Sequence, residues 1–315
     1  MLPENLFPVE VILDAFDEMA KPQSQPQPQP PSPPPRRPKV ILFDIGGVCV
    51  ISPFQAILDY ELSLGIPPGW VNYSISQTKP SGFWHRLETG SIPLDDAWYE
   101  GFNRDLHHEG RWKAFYQAQQ AKNPSLPREI PPMPRIDGRR LFHDMMGGAR
   151  APDPWMFPAL RALKASGRYI VAALSNTVIF PPDHEFSKPD DFIIGQLHAQ
   201  FDVFVSSAHV GLRKPDPRIY ELARQKADEF ARANAGSDRG RALGWAEGVR
   251  ADEIVFLDDI GENLKAAKMA GFGTIKVHLG RAYEAVDELE KVTGLKLAGD
   301  HPRIPIKPVI RKAKM

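Results

Sequence analysis

Val40-Ile41-Leu42-Phe43-Asp44-Ile45-Gly46-Gly47-Val48 reads as a short apolar strand that ends on a carboxylate and turns over two glycines. An unbroken apolar run closed by a turn is the signature of a strand buried on both faces, and such strands belong to parallel sheets covered by helices on either side. Four further runs of this kind lie downstream, Tyr169 to Leu174, Val203 to Ser206, Ile254 to Leu257 and Thr274 to Val277. Amphipathic stretches lie between them, including Met156 to Ala165, Pro217 to Ala233 and Glu262 to Ala270. Asp216 and Pro217 have the pattern of a cap and a first helical residue. The last helix carries Leu264, Ala267 and Met269 on its assigned apolar side, with Gly271 as its stop. The alternation predicts an α/β, Rossmann-like fold with a central parallel sheet flanked by helices.

The first two strands are separated by far more chain than one crossover needs, and the intervening stretch reads as several helices without a strong strand. It is expected to be an inserted α-helical cap over residues 55–150, with Trp70, Trp84, Trp98 and Trp112 in its core and a Pro-rich loop at 124–134. The core domain is then 39–54 with 151–285, residues 286–315 are a C-terminal extension, and 234–250 is a loop enlargement. No internal repeat is present.

Of 32 prolines, about twice ordinary usage, many fall before Lys39. Residues 21 to 38 are nearly all Pro, Gln, Ser and Arg, so 1–38 is expected to be a disordered tail. Pro31, Pro34 and Arg36 have the spacing of a weak SH3-type ligand, although a solvated tail is the plainer reading. A net charge of zero gives no electrostatic reason to expect nucleic acid as a partner. No apolar run reaches the roughly 18 residues of a membrane helix, and the N-terminus lacks a secretory pattern. The single cysteine, Cys49, suits a reducing compartment and reads as buried filler. A cytoplasmic protein is expected, or a peroxisomal one, since Ala313-Lys314-Met315 resembles a permissive peroxisomal tripeptide.

In an open parallel sheet, ligands bind beyond the carboxyl ends of the strands. There the sequence places Asp44, Ser175-Asn176-Thr177, Arg213-Lys214-Pro215 and Asp258-Asp259, each with an ordinary alternative role as a turn or cap residue. Together they form a set suited to phosphoryl transfer. A carboxylate facing a phosphate needs a cation between them, and oxygen ligands, including the Gly46 backbone carbonyl, favour Mg²⁺. Ser175 and the Asn176 backbone N–H are candidates to hold a phosphoryl oxygen, with Lys214 adding charge and steadying the nucleophile. Glycines 46 and 47 are expected to let the backbone turn tightly.

The order Asp44-Ile45-Gly46-Gly47-Val48, Leu174-Ser175-Asn176, Arg213-Lys214-Pro215 and Phe256-Leu257-Asp258-Asp259-Ile260-Gly261-Glu262-Asn263 resembles the four motifs of haloacid-dehalogenase-like hydrolases. The resemblance covers about residues 39 to 280. It extends to the phosphatase domain of soluble epoxide hydrolase and the N-terminal domain of acyl-CoA dehydrogenase-like proteins, down to a cap element at Phe83 to Ile92. It implies Asp44 as nucleophile and Asp259 as metal ligand, with Asn263 supporting it and Asp258 as second choice. His85 and Glu88 are cap candidates for substrate contact, against a plainer reading as solvated residues. His184 and His198 read as surface or packing residues.

One position departs from the family pattern. Gly46 stands where the phosphatases commonly carry an aspartate that protonates the leaving oxygen and then activates water. Loss of such a group costs about 10²- to 10⁴-fold. Three functions follow. The first is a Mg²⁺-dependent phosphatase of a small phosphorylated metabolite, acting through an aspartyl phosphate. The second is a catalytically impaired binding or regulatory protein. The third is a haloacid dehalogenase, against which the acidic pair argues.

Overall fold

Strand β1 (Val40–Phe43) owes its central place to having no polar side: all four residues are buried. The computed structural model describes residues 37–188 and 190–307. Within them β2 (Ile170–Ser175), β3 (Val203–Ser206), β4 (Ile254–Asp258) and β5 (Gly273–Lys276) join β1 in one sheet of order β3-β2-β1-β4-β5. Every pairing is parallel. The tail motif Pro31, Pro34 and Arg36 and the terminal Ala313-Lys314-Met315 lie outside the described residues.

Successive side chains of a strand point to opposite faces, and β1 divides its four residues accordingly. Ile41 and Phe43 pack with Met156, Leu160, Val286 and Leu289 on one face, whereas Val40 and Leu42 pack with Ile219, Tyr220, Ala223 and Leu264 on the other. The helix Pro217–Ala233 starts as expected, with the Asp216 carboxylate accepting from the Arg218 N–H and Pro217 in the first turn.

Seven helices lie between β1 and β2, and the first six are α1 (Pro53–Ser63), α2 (Trp70–Ser76), α3 (Phe83–Glu88), α4 (Asp96–Leu106), α5 (Glu109–Lys122) and α6 (Gly138–Gly148). These six share their own apolar core, with Trp70, Trp98, Trp112, Phe102 and Phe142 all nearly fully buried. Glu61 is buried at the start of α2, where its two carboxylate oxygens accept the Gly69 and Val71 N–H groups at 2.7 Å each. A side chain from the preceding helix thus satisfies the donors that Gly69, the residue before the helix, cannot.

The structure corrects several details. The expected boundaries at 54/55 and 285/286 both fall inside helices, Pro53–Ser63 and Ala282–Thr293. The second of these buries Ala285, Val286 and Leu289 against the sheet, so the chain after 285 is part of the core packing. Met269 is 82% exposed while Leu264 and Ala267 are buried. Two residues past Ala267 is about 200° around a helix, which carries Met269 to the opposite face. Residues 234–250 do more than enlarge a loop, since they include a helical turn at Asp238–Ala242 and place Trp245 in the core. Trp84 is only partly buried and belongs to the cavity wall as much as to the cap core. Among the described residues no helix is long and apolar enough to cross a membrane.

Candidate active site

Sheet register brings the acidic residues together. Phe43 pairs with Leu257, so Asp44 and Asp258, each one residue further on, emerge side by side. The Asp44 N–H still donates to the Leu257 carbonyl at 2.9 Å. Asp259 follows directly, and one carboxylate oxygen from each of the three aspartates lies within 4.8 Å of the others.

The three acids are not equivalent. Asp258 is fully buried, and its oxygens receive the Lys214 ammonium at 2.7 Å, the Ile260 N–H at 2.7 Å and the Asn263 amide at 3.1 Å to both oxygens. Asp44 accepts from the Ile45 N–H at 2.7 Å and pairs with the same ammonium at 2.8 Å. Asp259 faces the cavity, where the Ser52 hydroxyl reaches it at 3.4 Å. Asn263 therefore supports Asp258 and not Asp259 as expected, because the helix beginning at Gly261 turns its amide back over the end of β4.

Burial is the main reason that Asp258 and Asp259 are held above the ordinary carboxylate range. The charge of Asp44 adds to it for both, and that of Asp258 for Asp259. Lys214 is 1% exposed. Burial alone would drive its proton off, but the charges of Asp258 and Asp44 outweigh that and hold it above the usual lysine range. Lys214 therefore stays charged between two carboxylates. Its backbone is fixed by Asn176, whose side chain accepts the Lys214 N–H at 2.8 Å and donates to the Lys214 carbonyl at 3.2 Å.

Of the pair after β2, Asn176 lines the cavity, whereas Ser175 is buried beneath it with its hydroxyl 3.5 Å from the Asn176 carbonyl. Gly46 lines the cavity as well. The tight turn belongs to Gly47 alone, at φ +77°, where a Cβ would come within 2.1 Å of an Asp259 carboxylate oxygen. Gly47→Ala should therefore lower stability by about 1–2 kcal/mol, seen as a drop in the urea midpoint, and push Asp259 from its place. Cys49 is fully buried, and burial above all raises its thiol far out of the reactive range.

The cap closes this edge of the sheet over a cavity of about 280 Å³ whose walls include Ile57, Ile75, Trp84 and Met145. His85 and Glu88, which the plainer reading takes as solvated, are 2% and 7% exposed and line that cavity. Glu88 is tied to the core: the Arg213 guanidinium donates to it at 2.7 and 2.8 Å, and the Ser207 hydroxyl donates to its carbonyl at 2.6 Å. A second tie joins Lys79 of the cap to Glu262 of the core at 2.7 Å. Sequence reading missed Arg213 as a cap contact, although it adjoins Lys214. It also missed Ser52, Asn72 and Lys79, which lie outside the strand ends and carry no local signal. His184 is partly buried against Phe180 and Phe186, and His198 is exposed but sits over the Phe204 ring.

Burial, then the charges of Arg213 and Lys79, lower the His85 imidazole from 6.5 to about 4. Between those values the unfolded chain holds the proton and the folded chain does not, so the His85 contribution to stability is full above pH 6.5 and is lost as pH drops from 6.5 through 4. His85→Phe should flatten that limb of a plot of urea midpoint against pH and leave the limb above pH 6.5 unchanged.

No family model matches the chain. Acyl-CoA dehydrogenase family member 10 of Mus musculus is 27% identical over 279 residues, covering 88% of this chain and 21% of that protein. Bifunctional epoxide hydrolase 2 of Mus musculus is 26% identical over 271 residues, covering 86% of this chain and 41% of that protein. Sesquiterpene phosphatase astK of Aspergillus oryzae is 26% identical over 260 residues, covering 81% of this chain and 97% of that protein. The chain spans only about a fifth and two fifths of the length of the first two. The likeness to soluble epoxide hydrolase and to acyl-CoA dehydrogenase-like proteins, read first from motif order, holds in these relatives.

Proposed function

We propose that this chain is a Mg²⁺-dependent phosphohydrolase that transfers the phosphoryl group of a small phosphomonoester first to Asp44 and then to water. The observation that carries this reading is the Asp44 carboxylate at the floor of a capped cavity, paired with a fully buried Lys214 and flanked by Asp259. A relative of nearly the same extent is named a phosphatase, which supports the reading.

The donor set fits a hard cation. Three carboxylates lie within 4.8 Å of one another with only one buried ammonium between two of them, and oxygen-only sets suit Mg²⁺. Asp44, Asp259 and the Gly46 carbonyl would hold it, since the oxygens of Asp258 are already engaged by Lys214, Asn263 and the Ile260 N–H. When bound, Mg²⁺ neutralises phosphate charge so that a carboxylate can approach phosphorus.

The side chains of the site have separable tasks. Asp44 attacks phosphorus in line, the bond from phosphorus to the organic oxygen breaks, and the electron pair leaves with that oxygen, which takes a proton from solvent or a neighbouring group. Water then attacks the phosphorus of the aspartyl phosphate, regenerating the carboxylate and releasing inorganic phosphate. Lys214 holds Asp44 in position, and Asn176 holds the Lys214 backbone. The cap excludes water and encloses the organic part.

Gly46 favours a second reading, a binding protein that retains the phosphate pocket without turnover, because it leaves the usual acid–base position without a side chain. The deciding test is release of inorganic phosphate from sugar, acyl, lipid and aryl phosphates, with and without Mg²⁺. Metal-dependent turnover on any member supports the phosphatase; phosphate affinity with no turnover over the whole panel supports the binding protein.

A further inference from the structure

Two polar atoms of the cap are buried without a hydrogen-bond partner among the described residues and belong to residues lining the cavity: Asn72 Nδ2 on α2 and His85 Nδ1 on α3. A buried polar group left unpaired is destabilising, and the cavity that both residues line has apolar walls at Ile57, Ile75 and Met145. His85 is 2% exposed. Its imidazole is kept neutral by burial and by nearby Arg213 and Lys79, so it keeps both a donor and an acceptor nitrogen. The helix that carries it is fixed to the core one turn later, where Glu88 meets Arg213 and Ser207. His85 is therefore built into the closed cap.

We infer that Asn72 and His85 form a specificity subsite that selects phosphomonoesters whose organic part bears a hydroxyl or carbonyl oxygen over those with a plain hydrocarbon tail. The inference rests on the phosphohydrolase reading and deepens it. A site made to bond such an oxygen discriminates strongly against the analogue that lacks it, because its own polar groups are then left unpaired. The apolar walls accommodate the carbon skeleton, and the acidic end takes the phosphoryl group.

The test is binding, which does not require turnover. Affinities of hexylphosphonate, of hydroxyhexylphosphonates carrying the hydroxyl at successive carbons, and of inorganic phosphate are measured by calorimetry with Mg²⁺ present. The full chain is compared with Asn72→Leu and His85→Phe, both checked for a cooperative melting transition that shows them folded. At least one hydroxylated ligand should bind about tenfold or more tightly than hexylphosphonate, equal to about 1.4 kcal/mol. That ratio should fall to about threefold or less in each variant, with hexylphosphonate itself little affected. Equal binding of plain and hydroxylated phosphonates, or a preference that survives both substitutions, overturns the subsite and leaves the phosphohydrolase reading intact. If neither phosphate nor any phosphonate binds, the phosphohydrolase reading falls and the subsite with it.

Discussion

Asp44→Asn lowers kcat by at least about 10⁴-fold at saturating Mg²⁺, while the chain stays folded. The amide has nearly the shape of the carboxylate but lacks the anionic oxygen that attacks phosphorus, and no other carboxylate can take its place. Asp258 is held from several sides by Lys214, Asn263 and the Ile260 N–H, and Asp259 is expected at the cation. Lys214 keeps its partner in Asp258 at 2.7 Å after the change, so no buried charge is stranded and the large penalty for an unpaired ion does not arise. Phosphate release and the melting temperature are measured together. Loss of turnover with a melting temperature within a few degrees of the native chain meets the expectation. Retained turnover would remove Asp44 as nucleophile.

Gly46→Asp raises kcat by about 10²-fold for alkyl phosphates, whose leaving oxygen needs a proton, and by much less for aryl or acyl phosphates, whose leaving groups do not. The position tolerates the change: Gly46 has no left-handed φ, and a Cβ there meets only Pro53, at 3.4 and 3.7 Å. Because Gly46 lines the cavity beside Asp44, the new carboxyl stands where the family pattern places its acid and base. The measurement is kcat for a matched alkyl and aryl pair as a function of pH. A gain confined to the alkyl phosphate, with a new titrating limb, meets the expectation. An equal gain on both would show that the side chain acts on position rather than on the proton, and no gain would mean that another group already supplies the proton.

The neighbouring glycine shows how far sequence reading reaches. Gly46 and Gly47 look interchangeable in a Gly-Gly pair, but only Gly47 needs its positive φ, and only there does a Cβ strike Asp259. That distinction depends on which strand lies alongside β1. The same holds for Asn263, which sits one helical turn after Asp259 in sequence and yet bonds Asp258, because the start of the helix sets the direction of its amide. His85 and Glu88 are legible as cap candidates, but their burial is not, and the partners that hold Glu88, Arg213 and Ser207, lie more than a hundred residues away in the chain.

By itself the sequence determined the five strands to within a residue or so at each end, the helical insertion between the first two, and the convergence of Asp44, Asn176, Lys214 and the acidic pair at one edge. These are properties of local apolar period and of strand ends, which short stretches of chain carry on their own. The tertiary structure alone decided which acid faces the cavity, that Lys214 is held between Asp44 and Asp258, and that Asn72 and His85 leave polar atoms unpaired in the cap. Each of those facts depends on register between distant strands and on how the cap docks, and long-range packing of this kind leaves no periodic trace in the residues that it brings together.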